Sequence, residues 1–132
     1  MLEYETAKFL YCNITVWFGI RNKQSGIAIQ LGGKNGENIE KQGSNNYIWK
    51  WQGNGLVNKL GYALGIGGGH QEKYHGGVHQ QWIMIGDKII SVFNGMCLDI
   101  PRGSKDSNVG IILWSLHSDD SVDNQSWELV YE

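Results

Sequence analysis

Residues that could bind a polyhydroxylated ligand follow one another in the last third of this 132-residue chain: Asp99, Trp114 and Asn124. An ionised carboxylate accepts hydrogen bonds from two hydroxyls, an amide satisfies a further hydroxyl, and a flat ring packs against C–H groups. Each residue also has an ordinary structural explanation, because Asp99 could form a turn, Trp114 could be core and Asn124 could be a loop amide. The three residues taken together favour a binding site.

A second cluster, in the middle of the chain, contains Tyr74, His75, His79 and Gln80. Tyr74 could stack on a sugar and His79 could donate to one, so these four residues form a possible divergent second site. His75 and His79 have four-residue spacing, which brings two imidazoles to one face of a helix but not of a strand-and-turn path. With Glu72 as the only nearby carboxylate, we expect surface histidines, and neither a metal site nor another cofactor.

The sequence does not contain a recognisable catalytic arrangement. Glycoside hydrolysis requires two carboxylates across a cleft. The aspartates that could accompany Asp99 are all predicted to lie in loops: Asp119, Asp120 and Asp123. No nucleophile and base occur in a known order, and the glycine run that begins at Gly67 is too short for a phosphate loop and lacks its lysine. We therefore expect a protein that is not an enzyme.

The charge balance and the N-terminal segment exclude several classes of binding partner. Eleven basic and thirteen acidic side chains give a net charge of −2 without a block of lysine or arginine, so no nucleic-acid or heparin footprint is present. Residues 1–10 include Glu3, Glu5 and Lys8, a composition that fits neither a secretory signal nor a membrane span. Cys12 and Cys97 lack metal or redox spacing, and their pairing stays open, as does the compartment.

The composition predicts an all-β fold. The chain has 19 glycines, one proline and 41% hydrophobic residues, without long helical periodicity. Short apolar runs alternate with Gly, Asn, Asp and Ser; strands are predicted within residues 27–31, 83–85, 88–92 and 111–114. This pattern is typical of a barrel or a sandwich. The length allows one domain.

The chain also repeats itself. The segments GIAIQLGG, GYALGIGG and GMCLDIPR begin at Gly26, Gly61 and Gly95. Each is followed by a tryptophan that opens a new predicted strand, in NYIW, HQQW and NQSW. We expect one domain over residues 1–132, with a first, second and third repeat at approximately 1–54, 55–91 and 92–132, closing on itself as a threefold barrel.

Two motifs and one longer segment of the chain resemble those of a known family. Its two Gln-x-Trp motifs, which end at Trp82 and Trp127, and the segment CLDI…GIILWSLHSDD…DNQSW are similar to the ricin-B-type, or R-type, lectins. The first repeat departs from the motif, with Tyr47 in place of glutamine. The resemblance implies a β-trefoil, an all-β fold with pseudo-threefold symmetry. It also implies that the motif tryptophans are core and that the motif glutamines brace each repeat.

The resemblance further implies a metal-independent site for galactose or N-acetylgalactosamine in the third repeat. Six positions match that site: Asp99, Ile112, Trp114, His117, Asn124 and Gln125. Asp99 would supply the carboxylate, Trp114 the stacking ring and Asn124 the amide, while Ile112 lines the pocket and His117 caps its rim. In the other repeats the Asp99 position is Gln30 and Gly65, so those sites depart from the family pattern.

The expected partners are therefore glycans of glycoproteins or glycolipids that carry galactose or N-acetylgalactosamine. We expect neither a nucleic-acid partner nor insertion into a membrane. Two alternatives stay open: a trefoil that binds proteins, as inhibitors and growth-factor-like ligands do, and the carbohydrate-binding module of a glycosidase. With one competent repeat, agglutination of cells would require a homodimer. The hydrophobic run at residues 9–18 is a candidate contact surface.

Overall fold

The structure, a computed structural model, describes residues 15–30, 47–66, 72–105, 110–117 and 121–132. Ten strands are present within these ranges, connected by turns and short 3-10 segments that include Val78–Gln80 and Pro101–Gly103. The strands are β1 (Phe18–Asn22), β2 (Trp49–Gln52), β3 (Gly55–Asn58), β4 (Tyr62–Ala63), β5 (Glu72–Lys73), β6 (Trp82–Ile85), β7 (Lys88–Ser91), β8 (Cys97–Asp99), β9 (Ile112–Trp114) and β10 (Trp127–Tyr131). The prediction of an all-β chain is confirmed.

The strands form two antiparallel sheets. One sheet has the order β10-β1-β2-β3-β4-β5 and the other has the order β6-β7-β8-β9. Strand β1 pairs along its whole length with β10, so the two ends of the described chain lie side by side. Two-residue turns close the β2–β3 and β6–β7 hairpins, and each begins with a glycine of positive φ, Gly53 (57°) and Gly86 (61°). Glycine at this position is typical of the turns that join twisted antiparallel strands.

Three tryptophans form the centre of the core. Trp49, Trp82 and Trp127 are 0%, 2% and 0% exposed, and each is the first residue of its strand, as predicted. The other core members are aliphatic or aromatic residues from β1, β3, β7, β8 and the segments between strands: Phe18, Ile20, Ile27, Ile29, Leu56, Leu64, Ile89, Leu98 and Ile100. Burial of each large side chain contributes about 1.5–3 kcal/mol, so this layer dominates the stability of the fold.

The same hydrogen bond recurs at each of these tryptophans and sets the correspondence between repeats. The indole Nε1–H donates to a main-chain carbonyl: Trp49 to Ile29 (3.1 Å), Trp82 to Leu64 (2.9 Å) and Trp127 to Leu98 (3.0 Å). The residues that directly follow these three acceptors are Gln30, Gly65 and Asp99. They therefore occupy corresponding positions, as the sequence alignment of the repeats predicted.

One predicted strand is not present, and one predicted contact surface lies partly outside the described residues. Residues 27–30 do not form an extended strand and make only an isolated bridge from Ala28 to Arg21; position 31 is not described. Of the run at residues 9–18, the first six residues lie outside the described ranges, and Phe18 is only 2% exposed, so its side chain belongs to the core. None of the helical segments found in the described ranges is long and apolar enough to cross a membrane.

Candidate functional site

Strands β8 and β9 place the predicted third-repeat residues on one face. In this antiparallel pair Asp99 lies opposite Ile112 and Cys97 lies opposite Trp114. Directly opposed residues point to the same side of a sheet, and residues two apart share that side. Leu98 is a core residue, and its partner Leu113 packs against the core. Asp99, Ile112 and Trp114 thus share the face that points away from the core.

The side chains of Asp99, Asn124 and Gln125 form a connected hydrogen-bond network. Asn124 Nδ2 donates to Asp99 Oδ1 (2.9 Å) and to the Ile100 carbonyl (2.9 Å). Gln125 Nε2 donates to Asp99 Oδ2 (3.0 Å) and to the Ser115 carbonyl (2.8 Å). Each carboxylate oxygen therefore has one amide partner and retains acceptor capacity, because an ionised carboxylate offers about four lone-pair sites. The amides hold the carboxylate in a fixed orientation.

The exposed part of this face consists of apolar side chains. Trp114 is 58% exposed and Ile112 is 37% exposed, whereas Asp99 is only 3% exposed. The alternative that Trp114 is a core residue is excluded. A ligand would therefore meet the indole ring first and reach the carboxylate at the inner end of the site. An exposed indole of this kind is available for stacking against C–H groups.

His117 is held beside the network by Gln125 and Asp123. Its main-chain N–H donates to Gln125 Oε1 (3.0 Å), and its ring Nδ1 lies 2.7 Å from Asp123 Oδ2. Asp123 Oδ1 also accepts from the main-chain N–H of Gln125 (2.8 Å). Burial raises the pKa of the Asp123 carboxyl, but the hydrogen bonds from His117 and Gln125 and the charge of Lys88 outweigh it and leave the pKa below its ordinary value. Asp123 therefore stays ionised and fixes the ring of His117.

Sequence reasoning missed two parts of this arrangement. It assigned the motif glutamines a bracing role through main-chain bonds, but Gln125 also binds the Asp99 side chain. It grouped Asp123 with the loop acids, although Asp123 organises the turn that precedes Trp127. The spacing Asp123-Asn-Gln-Ser126 was a usable signal, because Asp and Ser at such positions commonly bond the main chain of a turn.

Cys97 is a buried free thiol, and burial raises its pKa; Cys12 lies outside the described residues.

The second cluster is brought together only in part. Gln80 braces its repeat as predicted, since its Oε1 accepts from the His75 N–H (2.9 Å) and its Nε2 donates to the Lys73 carbonyl (2.9 Å). Tyr74 packs against Gly55, where an added Cβ atom would lie 2.4 Å from the ring carbon Cε1. The β2–β3 hairpin therefore occupies one side of the tyrosine ring that was suggested as a stacking surface.

The expectation that His75 and His79 would not share a face is wrong. Their ring centroids are 5.1 Å apart, because the 3-10 segment Val78–Gln80 turns the chain back on itself after β5. Both rings also lie beside Glu72, and the hydrogen bond from His75 is the largest cause that lowers the pKa of the Glu72 carboxyl. The four-residue spacing brings the two rings together here as it would on a helix. The 3-10 turn responsible is not visible in the pattern of polar and apolar residues.

Comparison with known proteins supports the fold. No protein-family model and no curated protein matches the chain, whereas many solved structures do. The C-terminal half of an earthworm R-type lectin, solved with N-acetylgalactosamine, matches with a TM-score of 0.68 and 18% identity over 89% of this chain and 99% of that chain. A ricin B-like lectin from Macrolepiota procera, solved with lactose, matches with a TM-score of 0.65 and 19% identity over 86% and 94%.

An enzyme is also among the matches. The exo-β-1,3-galactanase 1,3Gal43A of Clostridium thermocellum matches with a TM-score of 0.67 and 27% identity over 91% of this chain, but the match spans only 31% of that enzyme. The shared part is therefore a minor portion of the galactanase. Together with the threefold recurrence of the core tryptophans, these structures confirm that the chain is a β-trefoil and that its resemblance to the ricin-B-type lectins holds at the level of the structure.

Proposed function

We propose that the chain is a metal-independent carbohydrate-binding protein that recognises terminal galactose or N-acetylgalactosamine through its third repeat, and that it is not an enzyme. The observation that carries the proposal is the amide-held carboxylate of Asp99 on the same strand face as the exposed ring of Trp114. His117 forms the rim of the proposed pocket, and Ile112 forms its side.

The chemistry of a galactose-type sugar fits these groups. The free lone pairs of the Asp99 carboxylate accept from two vicinal hydroxyls, and such charge-assisted hydrogen bonds contribute about 1.5–3 kcal/mol each. The Asn124 side chain supplies an acceptor oxygen in addition to the donor that it directs at Asp99. Trp114 covers the C–H face of the sugar. The polar carboxylate end and the apolar indole end together discriminate a sugar by the side on which its hydroxyls lie.

The ligands named for two of the structural matches support the same class. The earthworm lectin was solved with N-acetylgalactosamine and the Macrolepiota procera lectin with lactose, a disaccharide that contains galactose. The galactanase match favours a second, related role as a sugar-binding module that serves an enzyme. In that role the site of this chain would still bind galactose and would not cleave it.

A glycan array followed by calorimetry with galactose tests the proposal. Trp114→Ala is expected to weaken galactose binding at least about tenfold by removing the stacking surface. Phe93→Ala is the matched control, because Phe93 is also 58% exposed but lies in the turn between β7 and β8. An array without galactose-type signals would refute the proposal and favour a protein-binding trefoil. Release of sugar from an oligosaccharide during incubation would show an enzyme instead.

A further inference from the structure

The group formed by Glu72, His75 and His79 occupies the second-repeat counterpart of the proposed sugar site. His79 corresponds to Asn124, because the carbonyls of these residues accept from Ile66 N and Ile100 N respectively, both at 3.1 Å. Glu72 corresponds to Trp114, because these residues lie opposite Ala63 and Cys97 at the same register position. His75 corresponds to His117, since the N–H of each donates to the motif glutamine of its repeat.

The second repeat has therefore lost the sugar-binding groups and gained a different donor set. Glycine, glutamate and histidine stand where the third repeat has aspartate, tryptophan and asparagine. Gly65 offers no carboxylate to a hydroxyl, and Glu72 offers no aromatic face. What remains at this position is one carboxylate and two imidazoles, a set of ligands that suits borderline transition metals.

The geometry brings the three donors within coordinating range of one point. Glu72 Oε1 lies 2.5 Å from His75 Nε2 and 3.7 Å from His79 Nε2. One potential ligand atom from each residue lies within 4.8 Å of the others. Ligands of a tetrahedral zinc ion, each at ~2.0–2.1 Å from the metal, lie roughly 3.3 Å apart. The side chains are 42%, 48% and 35% exposed, so they can make this adjustment by small rotations.

We propose that Glu72, His75 and His79 form a binding site for a divalent transition-metal ion of the zinc type. Two imidazole nitrogens and one carboxylate oxygen supply three ligands, and the exposure of the cluster leaves the fourth position to water. Calcium and magnesium are poor candidates, because they prefer sets of oxygen ligands.

The main chain at Gly77 determines both the positions of the two imidazole rings and the affinity of the site for a metal ion. Gly77 lies against the two rings, since an added Cβ atom would be 2.5 Å from His75 Cε1 and 3.0 Å from His79 Cε1. Its N–H donates to His75 Nδ1 (3.1 Å), which places the ring proton on Nε2, directed at Glu72. A metal at Nε2 replaces that proton and requires one on Nδ1. The exposed Gly77 hydrogen bond must then break, which lowers the affinity but removes no ligand.

Titration calorimetry of the full chain with Zn²⁺ tests the site, with thermal melts as a second measurement. We expect one Zn²⁺ per chain and a melting temperature that rises with Zn²⁺ concentration, because the ion binds the folded state. His79→Asn, which installs the third-repeat residue, and Glu72→Gln are each expected to weaken binding at least about tenfold. Glu128→Gln is the matched carboxylate control, since Glu128 pairs with Arg21 away from the cluster.

Two further measurements separate this site from the sugar site. Gly77→Ala is expected to weaken Zn²⁺ binding by displacing the His75 ring, since the φ of −61° at Gly77 suits alanine and the main chain need not change. Galactose binding is expected to be equal in EDTA and in Zn²⁺, so either proposal can fail alone. Absence of stoichiometric Zn²⁺ binding, or binding that His79→Asn and Glu72→Gln both leave unchanged, would overturn the metal site.

Discussion

Asp99 combines a structural role with the proposed ligand-binding role in one side chain. It is 3% exposed and carries two amide hydrogen bonds, so its carboxylate is desolvated before any ligand arrives. Burying a carboxylate is costly unless it is hydrogen-bonded. Asn124 and Gln125 offset that cost and fix the oxygens in place, so a sugar hydroxyl meets acceptors that need no reorientation.

Asp99→Asn is accordingly expected to have two effects. Galactose binding is lost, because an amide cannot accept from two hydroxyls in addition to its neighbours. The free energy of unfolding also falls by about 1–3 kcal/mol, because one of the two amide donors of Asn124 and Gln125 loses its acceptor. Calorimetry and urea denaturation measure the two effects separately. Unchanged galactose affinity in the folded variant would contradict the assignment.

Truncation of the two tryptophans of the third repeat should affect different properties: stability at Trp127 and sugar binding at Trp114. Trp127→Ala removes a fully buried indole and its hydrogen bond to Leu98, and is expected to lower the free energy of unfolding by about 3–5 kcal/mol. Trp114→Ala removes an exposed ring and is expected to leave stability nearly unchanged while weakening sugar binding. Thermal melts of both variants, with galactose calorimetry on Trp114→Ala, check the division. A larger stability loss at Trp114 would reverse it.

At the scale of an element, the turn at residues 123–126 connects the proposed sugar pocket to the core. Asp123 accepts from Gln125 and lies beside His117, and Ser126 Oγ accepts the Asp123 N–H (3.0 Å). Strand β10 begins at the next residue, so the turn sets the position of Trp127 and of the two pocket amides together. A change in the turn should therefore alter sugar binding and stability jointly.

The lowered pKa of Asp123 gives this turn a defined pH dependence. A carboxyl whose pKa is lower in the folded state stabilises the protein above its unfolded pKa of about 3.9 and loses that contribution as the pH falls through the folded value. Asp123→Asn is expected to destabilise the protein at neutral pH and to show a smaller stability loss than wild type on acidification. Urea denaturation at several pH values between neutral and strongly acidic measures this.

Asp87→Asn is the control for this experiment. Asp87 also lies beside Lys88, and its carboxylate is 3.5 and 3.8 Å from the ammonium groups of Lys88 and Lys23, farther than Asp123 lies from His117 and Gln125. Its substitution is expected to change stability less than that of Asp123. Parallel pH profiles for wild type and Asp123→Asn would show that the carboxyl does not contribute in the proposed way.

The fold and the proximity of Asp99, Asn124 and Gln125 could largely be predicted from the sequence, whereas the geometry of the second cluster could not. Trp49, Trp82 and Trp127 recur with similar approaches, and such a recurrence reports directly on a shared core. The proximity of His75 and His79 depends on a single 3-10 turn within a glycine-rich stretch, and short polar turns leave no periodic signal. The place of Tyr74 depends on the absence of a side chain at Gly55, which only the folded contact reveals.

At the scale of the whole molecule, valency decides whether the protein can cross-link cells. One small polar site binds a monosaccharide weakly, near the millimolar range or about −4 kcal/mol, and linked sites raise the apparent affinity roughly 10²–10⁴-fold. With Gln30 and Gly65 in place of the carboxylate, we predict a homodimer that displays two third-repeat sites. Sedimentation and red-cell agglutination check this. A strict monomer that agglutinates would require a competent site in the first or second repeat.

The pairing of β1 with β10 has a consequence for how the protein is made. Arg21 and Glu128, which form an ion pair across these strands, are 107 residues apart in the chain. At synthesis rates of ~5–20 residues per second, β1 is synthesised roughly 5–20 seconds before β10. During that interval, of the two neighbours of β1 in the sheet, only β2 can be present, so Phe18 and Ile20, which are buried in the folded protein, lack the part of their cover that β10 provides. The nascent chain therefore passes through a period in which the open edge of β1 is exposed to aggregation or to chaperones, and the barrel closes last along this seam.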